Sequence, residues 1–351
     1  MFVRRFSLVA IMSSVLFEAT ALAQSSAGSA SSSPGYHFLK KIPAGGEGGW
    51  DYLTLDPSAR RLYVSRATRV LVFDADSGES KGEIPDTSGV HGIALAPELH
   101  RGFTSNGRSS TVTVFDTGTL KVLSEVKTTG ENPDAILYDP ASRRVFTFNG
   151  RGKNATVIDA ASAKVVGTIP LDGRPEFAVS DGKGKVYVNV EDKSVVDVID
   201  PAALTVSNRW PLAPCEEPSG LAIDREHRRL FVGCSNKMMA MLDADGGKVL
   251  ATVPIGEGVD ANGFDPATGL AFASCGDGTL TVAHEDAPDR LSVVQTVETQ
   301  RGARTMALDE KTHRVFLVTA QFGPRPSPTA DQPRPRPPLV PGSFVLLVYG
   351  P

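Results

Sequence analysis

Seven residues occupy one position of a repeating sequence pattern, five residues before each of seven turn motifs. Six of them are charged or titratable, and one is a serine. They are Asp51, His91, Asp134, Glu176, Ser219, Asp260 and Arg304. Four carboxylates that face one centre repel each other unless protons, cations or Arg304 offset their charge. The pattern therefore favours a site for a divalent metal ion or for a cationic or polar ligand.

A metal ion is one interpretation of this set, because oxygen ligands with one imidazole suit Ca²⁺, Mg²⁺, Mn²⁺ or Zn²⁺. The candidate metal ligands are Asp51, His91, Asp134, Glu176 and Asp260. The sequence has no HExxH, EF-hand loop or paired CxxC spacing to support a metal independently. A wet channel mouth, in which each carboxylate bonds to neighbouring loops, explains the same residues. A divalent metal therefore stays open, and no cofactor is assigned.

Trp50 is a further candidate for ligand binding, because it stands beside Asp51 after a glycine-rich approach at residues 45–49. The glycines permit a tight loop that presents the indole. The indole could stack on a ligand or cap a hydrophobic channel. The sequence leaves both alternatives open.

The elements that position these residues belong to an internal repeat of about 42 residues. Seven turn motifs recur at steps of 40 to 44 residues: Asp56-Pro57, Ala96-Pro97, Asp139-Pro140, Asp181-Gly182, Asp224-Arg225, Asp265-Pro266 and Asp309-Glu310. Each unit contains four short runs rich in β-branched and aromatic residues between turn residues, which is typical of strands. Four strands per unit predict an all-β, seven-bladed β-propeller of four-stranded blades.

The two ends of the chain predict how the ring closes. Residues 344–349 match a third strand, and no fourth strand follows them. Residues 37–42, followed by Pro43, resemble the fourth strand of the third repeat, residues 164–169, followed by Pro170. We therefore expect the N-terminal strand to complete the last blade, which leaves no free edge.

An insertion at residues 324–341 interrupts the last blade and contains eight prolines, with Arg325, Arg334 and Arg336. Such a segment is extended and polyproline-like rather than helical. Because it joins the second and third strands of its blade, we expect it to lie over the channel-mouth face. A lid, a docking arm and a solvated loop all remain open.

Three sequence runs carry a family resemblance: Leu62-Tyr63-Val64-Ser65, Val145-Phe146-Thr147-Phe148-Asn149 and Val186-Tyr187-Val188-Asn189. They look like the YVTN repeat. Residues 36–351 resemble the YncE-like (YVTN-type) seven-bladed β-propeller family of exported bacterial proteins, within the WD40/YVTN repeat-like superfamily. The resemblance implies a single propeller domain over these residues. It implies little about activity, because propellers host enzymes, binding proteins and scaffolds.

Residues 1–23 have the pattern of a secretory signal, with Arg4 and Arg5 before an apolar run and Ala21-Leu22-Ala23 as the cleavage site. Residues 24–35 form a Ser/Ala/Gly-rich segment that predicts a flexible linker. No second apolar run of spanning length follows, so no membrane span is expected. We expect an exported protein, periplasmic if the source is Gram-negative and otherwise secreted.

The three cysteines predict at most one disulfide. Cys234 and Cys275 occupy equivalent positions in adjacent blades, about 9–10 Å apart by sevenfold spacing, which is too far for a bridge. Cys215 enters the fifth blade on the face where Cys234 ends its second strand. The favoured pair is Cys215 with Cys234, and Cys275 is expected to be a buried thiol.

The composition of the chain limits the classes of function that we expect. The 351-residue chain has a formal charge of −4, which argues against a bulk nucleic-acid binder that neutralises phosphates. The first hypothesis is a non-enzymatic protein that binds an unidentified small molecule or protein partner through the channel mouth. The alternative is a metal-dependent hydrolase, lactonase-like, or lyase, with His91 as general base. Single-stranded nucleic-acid binding ranks lower, and a closed ring predicts a monomer.

Overall fold

The computed structural model describes residues 1–3, 35–329 and 335–351. The predicted signal peptide, except for its first three residues, lies outside the described residues. So do most of the predicted linker and Arg334 of the insertion. All of the strands belong to one unit.

The described residues form seven antiparallel sheets of four strands, and strand β1 (His37–Pro43) precedes the first of them. Blade 1 contains β2 (Trp50–Asp56), β3 (Arg61–Arg66), β4 (Arg69–Asp74) and β5 (Ser80–Ile84). Blade 2 contains β6 (Val90–Ala96), β7 (Arg101–Asn106), β8 (Thr111–Asp116) and β9 (Val122–Lys127). Blade 3 contains β10 (Pro133–Asp139), β11 (Arg144–Asn149), β12 (Asn154–Asp159) and β13 (Lys164–Pro170). Blade 4 contains β14 (Pro175–Ser180), β15 (Val186–Val190), β16 (Val195–Asp200) and β17 (Thr205–Pro211).

The remaining blades follow the same order along the chain. Blade 5 contains β18 (Pro218–Asp224), β19 (Arg229–Cys234), β20 (Met238–Asp243) and β21 (Val249–Pro254). Blade 6 contains β22 (Val259–Asp265), β23 (Leu270–Cys275), β24 (Thr279–Ala287) and β25 (Arg290–Glu298). Blade 7 contains β26 (Met306–Asp309), β27 (Arg314–Thr319) and β28 (Val345–Gly350). Two short 3₁₀ turns lie at Pro97–Leu99 and Glu191–Lys193.

Strand β1 closes the ring, as the sequence predicts. It pairs antiparallel with β28 as the outermost strand of blade 7, with His37 opposite Gly350 and Pro43 opposite Val345. The pairing covers an edge of β28 that would otherwise present unpaired backbone groups. The all-β, seven-bladed propeller prediction is confirmed.

The core lies between neighbouring blades, and it explains the strand composition. The second and third strands of a blade are buried on both faces; β3, for example, is buried at five of its six residues. The outermost strands are mostly exposed, as in β5. Continuous apolar runs therefore mark the middle strands, because both of their faces pack against other blades.

The turn motifs fix the register of the first hairpin in each blade. The Asp56 carboxylate accepts hydrogen bonds from the backbone nitrogens of Ser58 and Ala59, at 3.0 and 2.9 Å. Equivalent Asx-type bonds form at Asp139, Asp181, Asp224, Asp265 and Asp309. Ala96 has no carboxylate, and the 3₁₀ turn at Pro97–Leu99 takes its place.

The structure joins Cys215 to Cys234 in a disulfide, with Cα atoms 5.7 Å apart. Cys215 lies in the loop that enters blade 5, and Cys234 ends the second strand of that blade. Cys275 is a buried free thiol. The disulfide therefore fastens an entry loop to its own blade rather than joining two blades.

The double variant Cys215→Ser/Cys234→Ser should lose about 3 kcal/mol of unfolding free energy, because a bridge over a short loop restricts the unfolded chain. Urea unfolding measures the loss. Peptide mapping without reductant should recover Cys215 and Cys234 in one linked species. A linked species containing Cys275 would contradict the assignment, and Cys275→Ala serves as the control that keeps the bridge.

Candidate functional site

The seven recurrent positions lie where the innermost strand of each blade begins, and six of them lie in or beside an irregularity of that strand. In blade 1 the pairing with β3 breaks between Trp50 and Leu53, which places Asp51 in the break. The same break occurs at the start of β6, β10, β14, β18 and β22. Bulges of this kind re-aim a side chain and leave local backbone groups unpaired.

Side chains from the second strands bond the backbone groups near these breaks. Ser65 Oγ accepts a hydrogen bond from the Asp51 nitrogen at 2.9 Å. Ser105 Oγ accepts one from the Gly92 nitrogen and donates to the carbonyl of Asp134 in the next blade. Such bonds fix the bulged backbone within a blade and connect it to its neighbour.

The bonding extends around the ring in two further places. Asn189 Nδ2 donates to the carbonyls of Ser219 and Gly220, at 2.8 and 3.1 Å. Ser274 Oγ donates to the carbonyl of Arg304. Second-strand side chains thus reach the backbone of the following blade and set the position of its recurrent residue.

The structure brings the seven recurrent residues together, and we call them the acidic ring. Hydrogen bonds, ion pairs or electrostatic interactions connect its members across the propeller centre. Solvent reaches the ring, because about one-fifth to two-fifths of the side-chain surface is exposed at Asp51, His91, Asp134, Asp260 and Arg304. Within it the residues divide into three groups.

The first group contains Asp51, His91 and Asp134. Nδ1 of His91 lies 2.6 Å from Oδ2 of Asp51 and 3.6 Å from Oδ1 of Asp134. One ligand atom from each residue lies within 4.8 Å of the others. A Cβ on Gly107 would lie 2.7 Å from Nε2 of His91, so glycine at this position leaves room for the imidazole.

The second group centres on Glu176, and it involves a residue that the sequence analysis did not identify. Glu191, from the 3₁₀ turn after β15, hydrogen-bonds to Glu176. Arg174 forms ion pairs with both, through Glu191 Oε2 and at 3.8 Å from Glu176 Oε1. Burial, followed by the bond to Glu191 and the charge of Asp134, raises the pKa of Glu176 to about 10. Glu176 therefore holds a proton at neutral pH.

The third group contains Ser219, Asp260 and Arg304. Ser219 Oγ donates to Oδ1 of Asp260 at 3.1 Å, and Arg304 Nε lies 3.1 Å from Oδ2 of the same carboxylate. Asp260 and Glu176 lie outside the three-residue cluster of ligand atoms. The geometry therefore places three of the five candidate metal ligands close enough to share one ion.

Burial governs the protonation of the ring. It raises the pKa of Asp134 to about 7 and that of Asp260 to about 6, although His91 and Arg304 respectively oppose these shifts. Burial alone lowers the pKa of His91, but the bond to Asp51 and the charge of Asp134 raise it to about 9. At neutral pH the ring thus limits its own repulsion by retaining protons.

Two aromatic rings lie next to the acidic ring, at the positions that directly follow Asp51 and Glu176. The centroids of Tyr52 and Phe177 lie 5.1 Å apart, although the two residues belong to blades 1 and 4. Burial and the charges of the four ring carboxylates raise the pKa of Tyr52. Bulky aromatics at these two positions of the repeat are the signal that could have identified this contact.

Trp50 packs towards blade 7. Its ring lies 5.3 Å from that of Phe344 and 6.1 Å from that of Phe322, by centroid distance. Phe322 lies just before the insertion and forms an isolated bridge with Leu339 of the insertion. Leu339 and the residues next to it in the insertion therefore lie beside the start of β2.

A further group of titratable residues lies at the other end of β18. His227 Nδ1 lies 2.6 Å from Asp224 Oδ2, and Glu285 of β24 completes a cluster with ligand atoms within 4.8 Å. Burial, followed by the charge of Asp224, raises the pKa of Glu285 to about 7.

No protein-family model and no curated protein matches the sequence. Among solved structures, the chain is similar to one from Kuenenia stuttgartiensis hydrazine synthase, with a TM-score of 0.68 and 16% identity over 79% of this chain and 92% of that chain. The fold is a β-propeller. A chain of the mitotic checkpoint complex matches with a TM-score of 0.71 and 12% identity, over 89% and 93% of the two chains.

A chain from the structure of U3-55K matches with a TM-score of 0.73 and 9% identity, over 88% of this chain and 97% of that chain. At these identities the similarity shows the fold alone. Among the described residues, no helix is long and apolar enough to cross a membrane.

The ring should make stability depend on pH. The folded pKa values of Asp134 and His91, about 7 and 9, both exceed the ordinary values of 3.8 and 6.5. Each group therefore stabilises the fold at pH values below its ordinary pKa. This stabilisation is lost as the pH rises through the pKa that the group has in the folded protein. Asp134→Asn should raise the thermal midpoint by roughly 2–4 °C at pH 8.5 and by less at pH 5.

Thermal melts at several pH values measure this difference, and Asp289→Asn, in the exposed β24–β25 hairpin, is the matched control. An effect of Asp134→Asn that stays constant from pH 5 to pH 8.5 would show that the ring carboxyl does not titrate in this range.

Proposed function

We propose that this propeller is a binding protein whose acidic ring holds a cationic group, with a divalent metal ion as the first candidate. The observation that carries the proposal is the cluster of Asp51, His91 and Asp134, each of which offers one ligand atom within 4.8 Å of the others. Carboxylate oxygens with an imidazole nitrogen suit Zn²⁺ or Mn²⁺. The partial exposure of these side chains gives an ion access from solvent.

The charges around the cluster support a cation rather than an anion. Asp260 adds a carboxylate, and Arg304 is the ring's guanidinium but is already paired with it. A bound cation stabilises the ionised form of every ring carboxyl. The carboxyls then no longer require protons to offset their mutual repulsion. When its carboxyls ionise, the ring repels phosphates, which disfavours single-stranded nucleic acid as the ligand.

We further propose that the protein is an exported member of the YncE-like (YVTN-type) family, periplasmic in a Gram-negative source and otherwise secreted. Support comes from the secretory pattern of residues 1–23 and from the YVTN-like runs, such as Val186-Tyr187-Val188-Asn189. The propeller fold agrees with that family. Its partner is a small molecule or a protein that contacts the ring face.

A metal-dependent hydrolase or lyase is the second candidate, favoured by the 2.6 Å contact between His91 and Asp51. A carboxylate bonded to one imidazole nitrogen fixes the ring for catalysis or for metal ligation. With a pKa of about 9, however, His91 is protonated at neutral pH. It becomes a general base only when a nearby positive charge lowers that pKa, so this reaction class also requires the cation.

The cation site predicts that a chelator destabilises the protein and that one divalent ion restores it. An ion present at 100 times its dissociation constant adds about 2.7 kcal/mol, which should raise the thermal midpoint by about 4 °C. Melts with chelator and then with Ca²⁺, Mg²⁺, Mn²⁺ or Zn²⁺, together with elemental analysis, measure the effect. Asp134→Asn should abolish the response.

Asp289→Asn, outside the ring, should keep the full response to the ion. Protein that contains no metal and whose midpoint responds to none of the four ions would contradict the metal site. Retention of the response by both Asp134→Asn and Asp51→Asn would place the ion elsewhere.

A further inference from the structure

A cavity of about 450 Å³ lies between the insertion and the loops of blades 1, 6 and 7. We call it the arginine cavity. Its walls include Trp50, Arg301, Arg304, Phe322, Arg336 and Leu339. The volume is within the range of small-molecule sites, which combine apolar walls with a few polar groups.

The charge of the arginine cavity is opposite to that of the acidic ring. It contains three guanidinium groups, and Arg304 alone of the three pairs with a ring carboxylate, Asp260. Arg301 and Arg336 are exposed, and neither forms an ion pair with any described residue. Guanidinium groups that share one cavity repel each other, and each offers several donors that match a carboxylate or a phosphate.

The apolar walls of the cavity favour a flat ligand. The rings of Trp50 and Phe322 are half-buried and 6.1 Å apart by centroid distance. The bridge between Phe322 and Leu339 fixes this wall against the insertion. The indole nitrogen of Trp50 is buried and has no hydrogen-bond partner among the described residues. A flat apolar group can pack on such aromatic surfaces while its charged end reaches the arginines.

We propose that the arginine cavity binds a small organic anion, a carboxylate or phosphate ester attached to a flat apolar body. Arg301 and Arg336 bind the anionic end from the solvent side, and Arg304 lies between this cavity and the acidic ring. Trp50 and Phe322 contact the apolar body. Arg304 belongs to both sites, whereas Arg301, Arg336, Trp50 and Phe322 are not part of the acidic ring. Each site can therefore be tested without the other.

Naphthalene-2-carboxylate is the probe for this site, and naphthalene-2-carboxamide is its neutral counterpart of nearly the same shape. Titration calorimetry, supported by quenching of Trp50 fluorescence, measures both affinities. The carboxylate should bind at least tenfold more tightly than the amide, because charge-assisted bonds to arginine are worth more than neutral ones. 2-Naphthyl phosphate shows whether the site prefers a phosphate or a carboxylate.

Arg301→Gln and Arg336→Gln should each weaken carboxylate binding about tenfold and leave the amide unchanged. Neither arginine forms an ion pair with a described residue, so the fold should persist, and thermal melts check this. Arg325→Gln is the matched control, because Arg325 is an exposed arginine of the same insertion that does not line the cavity. Gly49→Phe offers a steric test, since a Cβ at this lining position meets no heavy atom within 4 Å.

Equal affinity for the carboxylate and the amide would overturn the proposal. So would carboxylate binding that survives the double variant Arg301→Gln/Arg336→Gln or that Arg325→Gln weakens to the same extent. Asp134→Asn separates the two sites: naphthalene-2-carboxylate should still bind to this variant, even if its response to metal ions is lost. Loss of metal binding alone would therefore leave the arginine cavity supported.

Discussion

The arrangement of the propeller centre depends on a bulge that recurs near the start of the innermost strand in six blades. A regular ladder would turn successive side chains alternately towards the two neighbouring blades, with none held at the centre. The bulge re-aims one residue per blade, and second-strand side chains such as Ser65 and Ser105 bond the backbone groups that it leaves. The register of the first hairpin, set by the Asp turns, determines which residue occupies the bulge.

This backbone frame holds together side chains that would separate in solution. The four ring carboxyls remain near one another because each is attached to a different blade, and the blades pack through extensive apolar cores. Burial, together with the charges of neighbouring carboxylates, raises the pKa values of Asp134 and Glu176. The acidic ring and the arginine cavity place carboxyl and guanidinium groups close together.

The repeat period predicted the blade number, the closing strand and the seven ring positions, because Asp-Pro turns and apolar runs have local physical causes. The division of the ring into three groups could not be predicted in this way. Glu191 approaches Glu176 from a 3₁₀ turn outside the repeat pattern, and Tyr52 reaches Phe177 from a different blade. Phe322 and Arg336 join Trp50 because of how the insertion folds back, which no periodicity encodes. Side-chain contacts between distant repeats depend on packing, whereas the repeat itself is local.

Closure by β1 also affects the order in which the molecule can mature. His37 lies opposite Gly350, so β1 is synthesised before the other strands of blade 7 and cannot pair until β28 has been made. Until β28 emerges, the last blade is incomplete, and the loop that must close is almost the whole domain, which slows the final step.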